Sequence, residues 1–392
     1  MEEITKAIIS NRPDVLTTLI DNNNAYEFIN ETVNATGKNS DRLTITSSTT
    51  MSIIHMCALN ESTECLEYLL QFPCFTVEAY TPSLLQPLHF AILGEAVECV
   101  STLLYRGADP NFEPLNTRLT PLFLAAHVGS PLIANMLFDY GATLSIPKAG
   151  TDSPIYEAIR CGHFECFEVL MNRGLMKNTS FAHQGYSIIM CSIANGLYDA
   201  VPILIQQGVS VNTVSPQGNT ALSLACRTKE ISLIKCIMDA PGFNIGVFGA
   251  GGYYAIHWAA STCSPEIVKI VISYGADVKA EGTCHRTAMY SALKFRPRKT
   301  PPFFENDIED QIITLNILYS YGLSAISPAF LLLEYVMDPD LFNERVFRFI
   351  LSQEPIADQP GLVQELLKYS SEKVLPCVKS LIEQYKTKEK DV

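Results

Sequence analysis

The chain has 392 residues, 47% hydrophobic and 18% charged, so it can bury a core and does not have the composition of a disordered polymer. Its 28 basic residues stand against 41 acidic ones, and the net charge of −13 argues against nucleic acid or any other polyanion as the main partner. The opening MEEITKAIIS has neither a basic segment nor a long apolar run, and no later stretch is apolar over a bilayer's thickness. The expectation is therefore a protein without signal peptide or membrane span, cytoplasmic, with the nucleus as a second location.

Residues 1–22 contain ITKAIISNRPDVLTTLIDN, two short amphipathic helices more polar than those that follow, as suits the solvent-facing end of an array. Residues 23–50 read as a polar insertion whose NATGKNSDRLTITSSTT is rich in Ser and Thr, a flexible loop open to phosphorylation.

From 51 to 293 the sequence is periodic. Related segments begin at Ser52 (SIIHMCA), Gln86 (QPLHFA), Thr120 (TPLFLAA), Ser153 (SPIYEAI), Ser187 (SIIMCSI), Thr220 (TALSLAC), Tyr254 (YAIHWAA) and Thr287 (TAMYSAL), in steps of 33 or 34. A second apolar motif follows in most units, as in ECLEYLL (64–70), ECVSTLL (98–104), ECFEVLM (165–171) and EIVKIVI (266–272). A glycine turn such as RGADPN, QGVSVN or YGADVK then closes the unit. Each unit thus predicts two amphipathic helices, a glycine cap and an extended loop. Ser or Thr caps the first helix, Pro87, Pro121 and Pro154 take its first position, and Ser130-Pro131 and Ser264-Pro265 restart the second. Ala91, Ala125, Ala158, Ala225 and Ala259 fall where neighbouring helices must approach closely. One unit cannot cover its own apolar stripes, so stacking makes the core.

Several stretches raise the question of chemistry. GVFGAGGYYAIHWAA (246–260) has the glycines of a phosphate loop, but the βαβ context of a dinucleotide fingerprint is absent. Cys161-Gly-His163-Phe-Glu-Cys166 has metal-ligand residue types, yet no fourth ligand stands nearby in sequence, and Cys166 repeats the packing position of Cys65 and Cys99. The other cysteines are scattered without a CxxC pair, which fits a reducing compartment. A Cys263 and His257 pair lacks an orienting third group. Glu64/Glu67 and Glu165/Glu168 lie three residues apart on an exposed helix face. Neither a catalytic residue nor a metal ligand is assigned.

Beyond the regular units, KFRPRKTPPFFENDIED (294–310) is basic, then proline-aromatic, then acidic. It reads as a solvated loop that pairs its own charges, ahead of a docking segment or nuclear signal. Residues 311–392 hold divergent helix pairs ending in a lysine-rich cap.

The T-P-L-H-x-A and G-A-D-x-N signatures at a period of about 33 resemble the ankyrin repeat family over most of the chain. The resemblance implies an all-α fold, an ankyrin-repeat solenoid of stacked helix-turn-helix units with hairpin loops. It makes Gly185, Gly218 and Gly252 hairpin glycines, Gly162-His163 the step between helices, and His55, His89 and His257 residues that tie neighbouring loops. It also implies a non-catalytic scaffold or adaptor that binds protein partners on its concave face, with no cofactor. Repeat register then gives the tip residues Leu85, Leu119, Asp152, Tyr186, Asn219, Tyr253 and Arg286. The ends of the first helices give Leu93, His127, Arg160, Asn195, Arg227, Ser261 and Lys294. The early positions are apolar and the later ones rich in Tyr and Arg, the residue types favoured at binding hot spots, so the expected partner segment is acidic and apolar. The alternative is an enzyme or metal-binding protein built on the solenoid, with 161–166 as its weak cluster.

Overall fold

The computed structural model describes residues 1–28, 32–34, 50–114, 119–144, 153–173, 182–183, 185–294, 304–324, 330–353 and 360–388. First helices begin where a hydroxyl precedes an apolar run: the side-chain oxygens of Thr120, Ser153, Ser187 and Thr220 accept the backbone N–H three residues on, at 3.0 to 3.4 Å. Gly129 and Gly162 end two of these helices in the left-handed conformation, with φ of 78° at both.

The chain forms two units, Met1–Ala200 and Val201–Val392. In the first, α1 (Glu2–Ile9) pairs with α2 (Pro13–Leu19), α3 (Ile53–Leu59) with α4 (Thr63–Leu69), and α5 (Pro87–Leu93) with α6 (Val97–Tyr105). Next come α7 (Pro121–Val128) with α8 (Pro131–Asp139), α9 (Pro154–Cys161) with α10 (Phe164–Arg173), and α11 (Ile188–Ala194). The chain passes from one unit to the other at the start of α12 (Ala200–Gln206). The second unit contains α13 (Ala221–Thr228) with α14 (Ile231–Met238), α15 (Ala255–Ser261) with α16 (Pro265–Ser273), and α17 (Ala288–Leu293) with α18 (Phe304–Ser320). It continues through α19 (Phe330–Met337), α20 (Glu344–Gln353), α21 (Pro360–Tyr369) and α22 (Leu375–Lys388). Among the described residues, strands form two short antiparallel pairs, β1 (Thr32–Asn34) with β2 (Thr50–Ser52) and β3 (Ala182–His183) with β4 (Tyr186–Ser187).

The helices differ in what covers them. α5 packs on α3, α6 and α7 and buries all seven of its residues, whereas α6 buries Cys99, Val100, Leu103 and Leu104 on one face. A helix enclosed on three sides needs a continuous apolar surface, and an outer helix needs only a stripe. Close approach sets the small residues: a Cβ at Gly94, just past α5, would overlap the carbonyl oxygen of Leu59 at the end of α3.

Asparagines tie consecutive glycine turns. Asn111 Nδ2 donates to Gly141 O at 2.9 Å while its Oδ1 accepts Thr143 N at 2.8 Å. Asn212 repeats the pattern on Gly242 O at 2.7 Å and Asn244 N at 2.9 Å. The segment expected as a loop over 294–310 differs from that expectation in part: helix α18 starts at Phe304, where acidic residues behind two prolines suit a helix N-terminus.

Candidate functional site

The tips of the extended loops are five-residue hairpins in which the first N–H donates to the carbonyl of the fifth residue. Thr81 N donates to Leu85 O at 3.0 Å, Ser215 N to Asn219 O at 2.9 Å, Gly249 N to Tyr253 O at 2.9 Å, and Gly282 N to Arg286 O at 2.8 Å. The glycines of 246–252 serve this turn. Gly251 and Gly252 take φ of 68° and 67°, Ala250 N donates to Gly218 O at 2.9 Å, and a Cβ at Gly218 or Gly249 would collide with the facing hairpin. Hairpin stacking therefore explains the run, and a phosphate cradle is not needed.

Histidines anchor these tips to the first helices. Backbone N–H groups of Gln86 and Tyr254 donate to Nδ1 of His89 and His257, both at 3.2 Å, so each ring carries its proton on Nε2. That Nε2–H donates to the tip carbonyl of the following unit, Leu119 O at 3.1 Å for His89 and Arg286 O at 2.9 Å for His257. His55 Nε2 instead meets Ala79 O, just ahead of the Thr81–Leu85 tip, at 3.1 Å, and its Nδ1 takes the Ser52 hydroxyl. Burial pushes His55 and His89 down to about 4, and lowers His257 in the same direction, so all three stay neutral at neutral pH.

Not every expected groove position offers surface. Leu85 and Leu93 are each only 1% exposed and belong to the core, a correction whose reason is that neighbouring elements cover the tip and helix end at this point of the array. Leu119 and Tyr186 are partly exposed, Asn195 is exposed with its amide on Cys191 O, and Asp152 lies outside the described residues. In the second unit Asn219, Tyr253, Ser261, Arg286 and Lys294 are partly exposed and Arg227 is exposed.

Two groupings emerge. In the second unit, Tyr253 stacks on His257 with ring centres 5.1 Å apart and meets Trp258 edge-on at 5.7 Å. The Arg286 guanidinium lies 4.7 Å from the Tyr290 ring centre and is held above its ordinary value, first by its hydrogen bond with Tyr253. Lys294 Nζ sits 5.6 Å from the same ring and 3.0 Å from Glu334, which also accepts the Tyr290 hydroxyl at 3.2 Å. Trp258 Nε1 and Arg286 Nε are buried and have no hydrogen-bond acceptor among the described residues. Trp258, Tyr290 and Glu334 were not expected here: repeat register singles out none of them, and Glu334 lies 44 residues from Tyr290.

In the first unit, His127 and Arg160 converge on Glu157, a carboxylate 3% exposed on the buried face of α9. His127 Nδ1 donates to Oε1 at 2.7 Å, and Arg160 donates from Nε to Oε2 at 2.8 Å and from Nη2 to Oε1 at 2.5 Å. Burial alone would raise Glu157, but the bonds from Arg160 and His127 outweigh it and hold the carboxyl below its usual range. The 161–166 motif is dispersed by the fold: Cys161 turns to Glu157 and His127, His163 Nε2 faces His127 O at 3.2 Å, and Cys166 is buried against Ala125 O. Glu157 could have been noticed as a lone acid in PIYEAI, at a position apolar or neutral in the neighbouring repeats.

Among the described residues no helix is long and apolar enough to cross a membrane. Residues 5–114 match a family model described as ankyrin repeats in three copies, and residues 251–280 match a model for the single ankyrin repeat. The chain is 27% identical over 175 residues to the ankyrin repeat and KH domain-containing protein mask-1 of Caenorhabditis elegans, covering 37% of this chain and 7% of that protein. It is 26% identical over 217 residues to the putative ankyrin repeat protein FPV115 of Fowlpox virus, covering 53% and 38% respectively. The chain thus spans well under half the length of either relative. The human ASB11 ankyrin repeat domain aligns with a TM-score of 0.44 and 23% identity, over 67% of this chain and 98% of that one. Matches to the same repeat in both units join the 33- to 34-residue period and the histidine-anchored hairpins, and the chain is an ankyrin-repeat protein.

Proposed function

Ankyrin repeats are in general protein-interaction modules, and we propose that this chain is a non-catalytic scaffold or adaptor that holds a partner segment against its hairpin tips and first helices. The observation that carries this reading is the aromatic and cationic column Tyr253, Arg286, Tyr290 and Lys294, with two cations against the single carboxylate of Glu334, on a chain of net charge −13. Aromatic rings supply contact area and the cations supply direction, the combination found at interface hot spots. The Arg286 guanidinium and Lys294 ammonium beside the Tyr290 ring favour a segment bringing a carboxylate beside an apolar side chain.

A peptide display library panned on the intact chain tests this. Enriched peptides should share an acidic residue next to an apolar one and bind Arg286→Ala at least about ten-fold more weakly, while Lys269→Ala on the outer helix α16 leaves binding unchanged. Peptides that bind Arg286→Ala and the unaltered chain alike would place recognition elsewhere.

A further inference from the structure

His127, Glu157 and Cys161 bring one imidazole nitrogen, one carboxylate oxygen and one sulfur within 4.8 Å of each other. We propose that this trio is a binding site for a divalent cation of the zinc class, independent of any partner held at the hairpin tips.

The geometry is close to what coordination demands. His127 Nδ1 stands 2.7 Å from Glu157 Oε1, and Cys161 Sγ stands 3.6 Å from that oxygen and 4.0 Å from that nitrogen. Ligands held about 2.0 to 2.3 Å from one tetrahedral ion lie about 3.3 to 3.6 Å from each other. The three atoms therefore need only to settle around an ion by rotations of their own side chains. Imidazole, thiolate and carboxylate together select zinc or cobalt over magnesium or calcium, which take oxygen alone.

The backbone adds a second argument. His127 lies in the last turn of α7 and Cys161 is the last residue of α9, and these two helices pack side by side with both C-terminal ends at the site. Each end carries partial negative charge, so the position favours a cation. The buried Glu157 carboxylate also calls for positive charge. In the structure Arg160 supplies that charge from a side chain 46% exposed, which can swing into solvent when an ion takes its place. His127 is 29% exposed, leaving a side open for water as the fourth ligand. Binding converts the Cys161 thiol to thiolate and moves the imidazole proton from Nδ1 to Nε2, releasing one proton per ion.

Cobalt(II) titration of the reduced full-length chain, followed by absorbance, is the test. One equivalent should give a thiolate-to-cobalt charge-transfer band that survives Cys284→Ser, an exposed thiol elsewhere, and disappears in Cys161→Ser. His127→Gln should weaken binding about ten-fold or more, and Arg160→Gln should tighten it by removing the competing guanidinium. Zinc should also slow alkylation of Cys161 in the unaltered chain, read by peptide mass mapping, so the outcome does not depend on the variants folding. A missing band, a band that persists in Cys161→Ser, or an alkylation rate at Cys161 indifferent to zinc would each overturn the site.

Discussion

A histidine at the fourth position of the repeat motif does two jobs because its two nitrogens differ. The backbone N–H at the helix start fixes the lone pair on Nδ1 in His89 and His257, and the tip carbonyl of the next unit then receives Nε2–H. A second proton has no place to go. Since His55 and His89 fall from an ordinary value near 6.5 to about 4, the unfolded chain binds protons that the folded chain refuses between those values. Stability should therefore fall as pH drops from 6.5 toward 4, by about 1.4 kcal/mol per pH unit for each such histidine. Urea unfolding at pH 7 and pH 5 reads this directly. The drop should shrink in His89→Gln, whose amide does not titrate, and an undiminished drop would refute the assignment. The window from pH 6.5 to 5 separates this effect from Glu157, whose lowered carboxyl loses its stabilising contribution only in more acidic solution.

At the level of elements, the helices are short, and what aligns them is bonding between consecutive loops. Asn212 supplies two such bonds and Asn111 three, counting the Thr143 hydroxyl. Both are at least partly open to water, so their loss is moderated by solvent. Asn212→Ala should lower unfolding stability by about 1 to 2 kcal/mol, measured by urea denaturation. The glycine signature was legible from spacing alone because a left-handed cap is a local need. The asparagine's reach to a turn about 30 residues onward was not, since only stacking brings the two turns together.

For the whole molecule, helix packing runs between neighbours: α5 meets α3, α6 and α7, and α15 meets α13, α16 and α17. Such a chain transmits a defect only as far as its interfaces do. Gly94→Ala forces a methyl group onto the Leu59 carbonyl, and it should destabilise by about 2 to 4 kcal/mol locally. Hydrogen exchange should speed up across α3 to α6 and stay unchanged in α15 to α17. Uniform acceleration would show cooperativity longer in range than nearest neighbours.

Period, caps and glycine turns could be read from the amino-acid order, because each is a local requirement repeated every 33 or 34 residues, whereas the role of the histidine slots came from the family resemblance. The order of residues was thus enough to define the repeat and its two helices, and the family resemblance turned the extended loop between repeats into a hairpin. Contacts across repeats followed different rules. Leu85 and Leu93 sit in register with groove positions but are covered by their neighbours, so exposure there was decided by packing. Cys161, His163 and Cys166 are close in sequence, yet one helix turn aims them at different partners, and Cys161 meets a histidine from the preceding repeat instead. Side chains 30 or more residues apart become neighbours only when helices stack, and that is why the trio at His127 and the aromatic column at Tyr253 belong to the tertiary structure.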